Sequence, residues 1–298
     1  MGKRLEEVRR KQMLKNNTPI EQYNINGRTI HVKREDMCVE PPGPPFSKCR
    51  GLYEHMVVLK KSGFSVVGYA ESAISMAGWG VAWCAKMLGM KAVIYDPQYR
   101  KETPKLLELH RKEWAKYNPV IVRVPAGRTK VNYHIASKHL HENYGFHSIM
   151  IPIGLRVQET VDATGAEWVR TMKIFKPDIT VVPVGSGTIL AGIIKHAQEF
   201  DGDLIGVMCY KSNQYRKAKS IFAKAGKKPG SLMPPAVEVS LVDVGWEYTE
   251  YATTECPFPC HPYYDLKAWD WLMRNMGTLK GKILFWNIGK EVENFTVK

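Results

Sequence analysis

At 298 residues, with 44% hydrophobic and 24% charged side chains, the chain is long enough for one large or two smaller folded domains, and its composition argues against wholesale disorder. No run of 18 apolar residues occurs, so a membrane-spanning helix is not expected; the charged opening MGKRLEEVRRKQMLKNN offers no apolar stretch for a secretory leader. Lys plus Arg exceeds Asp plus Glu by 43 − 29 = 14, a surplus that bears on anionic partners and solubility rather than on fold.

In chain order, short Val/Ile-rich runs alternate with helical stretches, the pattern of parallel sheets covered by helices. Strands are expected over residues 29–32, 65–68, 91–95, 120–124, 179–184, 204–209 and 282–286. Helices are expected over residues 50–59, 77–88, 159–174, 189–200 and 266–276. Gly89 and Gly277 would end the second and last of these, and Asp265 would cap the last. The stretch EPPGPP at residues 40–45 can only be a loop. The fold class is therefore α/β, with two domains built on open, parallel-type sheets. Residues 1–50 and 150–298 are expected to form the larger domain and residues 51–149 the smaller.

Six cysteines without a leader suggest a reduced, cytoplasmic chain (host cytoplasm for a viral protein). Cys256, Cys260 and His261 lie close together, but no second ligand pair at metal-site spacing accompanies them, so they are read as structural and no metal is assigned.

Three segments carry chemistry. Lys48 follows the Pro-rich loop and opens a helix, where the macrodipole disfavours positive charge; a lysine that gives up its proton readily can form an imine with an aldehyde. Gly185, Ser186, Gly187 and Thr188 lie between an apolar strand and a helix, the arrangement that turns backbone N–H groups and a helix N-terminus toward a phosphate. The turn lacks both the Gly-Lys-Ser/Thr ending of a nucleotide-triphosphate loop and the glycine spacing of a dinucleotide fingerprint. Residues 71–78, which contain Ser75, form a second strand–turn–helix passage, with N–H groups expected to be free for an anion such as a carboxylate.

In this order the segments resemble the tryptophan-synthase-β family of pyridoxal-phosphate enzymes (fold type II). The branch with aminocyclopropane-carboxylate deaminase, D-cysteine desulfhydrase, threonine synthase and cysteine synthase is most similar. Thr18-Pro19-Ile20 and Lys33-Arg34-Glu35-Asp36-Met37 resemble that family's Thr-Pro-Leu and Lys-Arg-Glu-Asp-Leu segments, and the likeness continues to about Gly289. The resemblance implies a pyridoxal 5'-phosphate cofactor carried by Lys48 as a Schiff base and held at its phosphate by Gly185, Ser186, Gly187 and Thr188. It also places Ser75 on the substrate-carboxylate loop and Tyr264, in Pro262-Tyr263-Tyr264-Asp265-Leu266-Lys267-Ala268, beside the substrate. The chain departs from the family by one glycine in the phosphate loop. Met76 stands where an Asn often bonds the cofactor's 3-oxygen, and Ile288 where a Ser or Thr faces the pyridine nitrogen. These losses leave a cofactor-free relative open as an alternative.

The chain is also similar to bacteriophage pyridoxal-phosphate enzymes that hypermodify thymidine. That likeness implies chemistry at the α-carbon of an amino-acid adduct (glycyl or seryl) on thymidine in DNA, by decarboxylation or isomerisation, and a polyanionic carrier would suit the surplus of 14 positive charges. Basic clusters at residues 3–15, 100–116 and 211–228 include RKEWAKY and YKSNQYR, which interleave cations with rings as single-strand-gripping surfaces do. A lyase or deaminase of a free amino acid, and a non-catalytic DNA-binding relative, are the alternatives. The family likeness further implies a homodimer.

Overall fold

The computed structural model describes residues 13–100, 102–197, 200–227 and 237–292. It divides into two compact units: Met1–Pro41, Pro45–Arg50 and Thr160–Lys298 form the first, and Pro42–Pro44 with Gly51–Glu159 the second. Residues 3–12 of the first basic cluster lie outside the described residues.

The first unit is built on a six-stranded sheet in the order β1-β2-β10-β7-β8-β9. Its strands are β1 (Ile20–Ile25), β2 (Arg28–Arg34), β7 (Ile179–Val184), β8 (Gly202–Met208), β9 (Val237–Asp243) and β10 (Ile283–Asn287). Only the β1–β2 pair is antiparallel. β7 and β10 are buried on both faces, which is why their sequences, ITVVPV and ILFWN, are apolar without alternation. From β7 the chain steps outward through β8 to β9, then returns to lay β10 on the other side of β7. The sheet thus has its topological switch between β7 and β10, and the carboxyl ends of strands at such a switch leave a crevice for ligands.

Helices α5 (Gln158–Ile174), α6 (Thr188–His196), α7 (Gln214–Lys224) and α8 (Asp265–Asn275) follow or flank these strands. One core gathers Trp168, Leu190, Ile194, Leu284 and Trp286; the other gathers Val181, Val207, Trp269, Leu272 and Phe285. α6 is shorter than its apolar pattern suggests, ending at His196 with Ala197 as its cap, and residues 198–199 of the expected helix lie outside the described residues. Asp265 is not the cap of α8. Tyr264 holds that place, and the Asp265 carboxylate instead accepts the Ile288 N–H from the end of β10 at 2.6 Å.

A buried ionic network explains the Lys33–Asp36 segment. Glu167 accepts backbone N–H groups from Asn17 (2.9 Å) and Thr18 (3.0 Å) and pairs with Lys33 at 2.7 Å, both side chains being fully buried. Glu35 pairs with Arg50 at 2.5 Å, and Arg34 with Asp36 at 2.8 Å. Burial alone would raise the Glu167 carboxyl, but the Arg50 and Lys33 cations outweigh it and hold it near 2. The network ties α5 and β2 to Arg50, two residues beyond Lys48.

The second unit has a parallel sheet in the order β5-β4-β3-β6, formed by β3 (Val66–Ala70), β4 (Lys91–Gln98), β5 (Val120–Pro125) and β6 (Ser148–Met150). Its helices are α1 (Cys49–Lys61), which begins at the end of the first unit, α2 (Ala77–Leu88), α3 (Lys105–Ala115) and α4 (Thr129–Tyr144). α2 ends as its sequence suggests, with Gly89 at φ 64°. No helix among the described residues is long and apolar enough to cross a membrane.

Candidate cofactor site

Lys48 lies one residue before α1 and is pinned to the end of β10. Ser47 donates its N–H to the Ile288 carbonyl (2.9 Å), Lys290 donates to the Pro45 carbonyl (3.1 Å), and Phe46 bridges to Gly289. This short antiparallel contact carries the Lys48 amine to the β7–β10 switch, where its Nζ lies 2.9 Å from the Ser186 hydroxyl. Ser186 Oγ is in turn 2.9 Å from Thr188 Oγ1.

The turn holding these hydroxyls leaves β7 and enters α6 directly. Gly187 sits at φ 78°, a conformation that costs any side-chain-bearing residue, and a methyl group there would stand 2.5 Å from Ile221 Cγ1. Gly185 lies under the Tyr264 ring, so that an added methyl would meet ring carbon Cε1 at 3.0 Å. Two glycines, two hydroxyls and the first turn of α6 therefore gather donors suited to an anion, with one amine beside them. That donor set fits a phosphate ester next to an aldehyde-reactive lysine.

Tyr264 also stacks obliquely on His261, at 4.9 Å between centroids. Burial pushes its phenol well above the usual range, reinforced by neighbouring Tyr248, so the hydroxyl stays protonated at neutral pH. Ile288 presents an apolar side chain packed on the core while its backbone N–H goes to Asp265 and its carbonyl to Ser47. It supplies no side-chain hydrogen bond. Cys256 and Cys260 are free thiols, packed against the core through the second of the two clusters.

The second unit holds Ser75 and Met76 at the start of α2. Three N–H groups of this passage are engaged within the chain. The Glu71 carboxylate accepts the N–H groups of Ser72 (2.8 Å) and Gly78 (2.6 Å), and Ser75 Oγ accepts that of Ala77 (3.0 Å). The Glu71 carboxyl group thus takes two N–H groups of this passage. Glu71 is buried, and loss of solvation, with the nearby charge of Asp96, pushes its carboxyl up to about 8. Met76 is buried and accepts the Gly80 N–H with its carbonyl.

Several side chains of the two basic, aromatic segments have partners within the chain. In RKEWAKY, Trp114 is buried, Arg111 pairs with Asp96 at 2.9 Å and Tyr117 donates to the Pro42 carbonyl. In YKSNQYR, Tyr210 turns inward to donate to the Gly185 carbonyl (3.1 Å), while Tyr215 stays largely exposed. Sequence reasoning missed Tyr210, Lys217 and Lys224 at this turn, because nothing local ties α7 to residues some 30 positions earlier.

A family model described as pyridoxal-phosphate dependent enzyme matches residues 12–245. The chain belongs to that family, and pyridoxal 5'-phosphate is its cofactor. Among characterised proteins it is similar to the glycyl-dTMP PLP-dependent decarboxylase of Pseudomonas phage M6, with 37% identity over 291 residues covering 93% of this chain and 100% of that protein. Among solved structures it resembles an ACC deaminase homologue, with a TM-score of 0.76 and 21% identity over 93% of this chain and 90% of that one. It also resembles maize serine racemase, with a TM-score of 0.64 and 18% identity over 98% and 94% of the two chains. The fold is that of the tryptophan-synthase-β-like pyridoxal-phosphate enzymes, and the protein is an enzyme of that kind. This sets aside the cofactor-free and non-catalytic readings.

Proposed function

We propose that this enzyme is a lyase that removes the carboxyl group from a glycyl unit attached to thymidylate, with Lys48 as the cofactor-bearing amine. The observation that carries this reading is the 37% identity, across 93% of the chain, to a phage protein named for that reaction. The amine at the head of the phosphate turn supports it from the side of the site.

Pyridoxal phosphate, when bound, supplies the electron sink that makes loss of carbon dioxide from an α-carbon feasible. The chain's own residues do the rest. Gly185, Ser186, Gly187 and Thr188 hold the phosphate with backbone N–H groups and two hydroxyls. Lys48 would take up the proton that the substrate's ammonium gives up and deliver it to the carbon that lost its carboxyl group, with the Ser186 hydroxyl placed to orient that amine. Tyr264, kept protonated by burial, donates a hydrogen bond and takes no proton. Ser75 keeps its proposed place near the substrate only as an orienting hydroxyl, since it already accepts the Ala77 N–H.

DNA is proposed as the carrier of the thymidylate, a reading that the formal charge of +14 supports. A homodimer is proposed on family likeness and is checked by light scattering. The reaction is tested by incubating the cofactor-loaded enzyme in D2O with glycyl-thymidylate as the free nucleotide and within DNA. The expected result is release of carbon dioxide and one deuteron on the remaining aminomethyl carbon, with activity on DNA falling steeply as salt rises. Retention of the carboxyl group with deuterium exchange at the α-carbon would instead mean isomerisation. Turnover of free glycine alone would move the enzyme to free amino acids.

A further inference from the structure

Two lysines of α7 stand behind the phosphate turn. Lys217 Nζ donates to the Gly185 carbonyl at 2.8 Å and lies 3.1 Å from the Tyr210 hydroxyl, which itself donates to the same carbonyl. The ammonium also lies over the Tyr210 ring, 4.5 Å from its centroid. Lys224 Nζ donates to the next carbonyl, that of Ser186, at 3.0 Å, and to the Ser220 hydroxyl at 2.8 Å. Among the described residues no carboxylate pairs with Lys217.

The direction of these bonds matters. In a trans peptide the carbonyl of one residue and the N–H of the next point opposite ways. Drawing the Gly185 and Ser186 carbonyls toward α7 therefore turns the Ser186 and Gly187 N–H groups away from α7. Each ammonium also polarises the peptide it holds, which strengthens the N–H as a donor to an anion. A turn one glycine poorer than the family's usual loop thus gains two cations behind it.

We infer that Lys217 and Lys224, with Tyr210, are positioning residues that aim and charge the phosphate cradle, and that they set the enzyme's affinity for the phosphate group of its cofactor. This rests on residues 185–188 being that cradle, and the two ideas can be separated by experiment.

The test compares the binding of pyridoxal phosphate and of pyridoxal, which has the same ring and aldehyde but no phosphate, to apo-protein by absorbance titration. K217M keeps a flexible chain of similar length and removes the charge. It should weaken pyridoxal phosphate about tenfold, with K217M/K224M weaker again by about another tenfold, as loss of charge-assisted bonds implies. Pyridoxal binding should stay within about twofold, and K217R should restore most of the phosphate preference. The 31P resonance of the bound phosphate should titrate at higher pH in K217M, because the dianion has lost its cationic support. Equal weakening of both ligands, or unchanged binding of both, would overturn the inference. G187A reports on the cradle independently: if it weakens pyridoxal phosphate while K217M does not, the lysine inference fails and the cradle stands.

Discussion

Replacing Gly187 by alanine perturbs the phosphate turn by the smallest chemical change available. Gly187 has φ 78°, which costs an L-residue roughly 1–2 kcal/mol. The new methyl would lie 2.5 Å from Cγ1 and 3.0 Å from Cδ1 of Ile221, a side chain only 1% exposed, so the strain cannot be shed into solvent. Overpacking of that kind costs about 1–3 kcal/mol. Together the two effects amount to about 2–5 kcal/mol, or a fall of roughly 3–8 °C in the melting temperature of the 298-residue apo-protein. Whatever movement of the turn relieves the clash displaces N–H groups from the phosphate, so affinity for pyridoxal phosphate should fall at least about tenfold. Gly226 provides the control, since it has φ 70° and, among the described residues, no atom within 4 Å of its would-be methyl. G226A should cost only about 1–2 kcal/mol and leave cofactor affinity unchanged. Calorimetry and absorbance titration check both variants. Wild-type melting and wild-type affinity in G187A would refute the claim that this turn is both tightly packed and the phosphate site.

Two further predictions concern buried carboxyls whose pH effects have opposite sign. Glu167 is held near 2, below its ordinary 4.5, so its contribution of about 3 kcal/mol is present above pH 4.5 and is lost as pH falls toward 2. E167Q should flatten that acid limb in urea titrations and, by leaving Lys33 buried without its partner, cost about 3–5 kcal/mol at neutral pH. An unchanged acid limb would show that Glu167 is not the group responsible. Glu71, raised to about 8, favours the folded state at low pH; that contribution, about 5 kcal/mol in full, drains away as pH rises from 4.5 through 8. E71Q should remove this alkaline loss, and a denaturation midpoint that still falls over that range would contradict it.

How much of this was legible in the sequence depended on how fully each element is buried. β7, β10 and α2 are apolar almost throughout, and their limits could be read nearly to the residue. β1, β6 and β9 were missed for other reasons: β1 is an edge strand whose residues are exposed or half-buried, β6 has three residues, and β9 mixes apolar with polar residues and lies at the other edge of the sheet. α3, α4 and α7 are charged helices with few buried positions. α7 buries only Ile221, so its sequence reads as a cluster of cations and not as a helix packed against the phosphate turn. The turn at residues 185–188 and Lys48 were visible because each sits at an element boundary marked by glycine or proline. The Ser47–Ile288 pairing and the Glu71 carboxylate over the start of α2 were not, because a sequence does not reveal which partner a buried polar group takes.

Reductive trapping bears most directly on the central claim. Holoprotein treated with borohydride, digested and sequenced by mass spectrometry should carry a pyridoxyl group on the peptide spanning Pro45–Arg50, at Lys48 alone, with loss of the visible absorbance in step. A label on any other lysine, or a protein that never takes up the cofactor, would contradict the account.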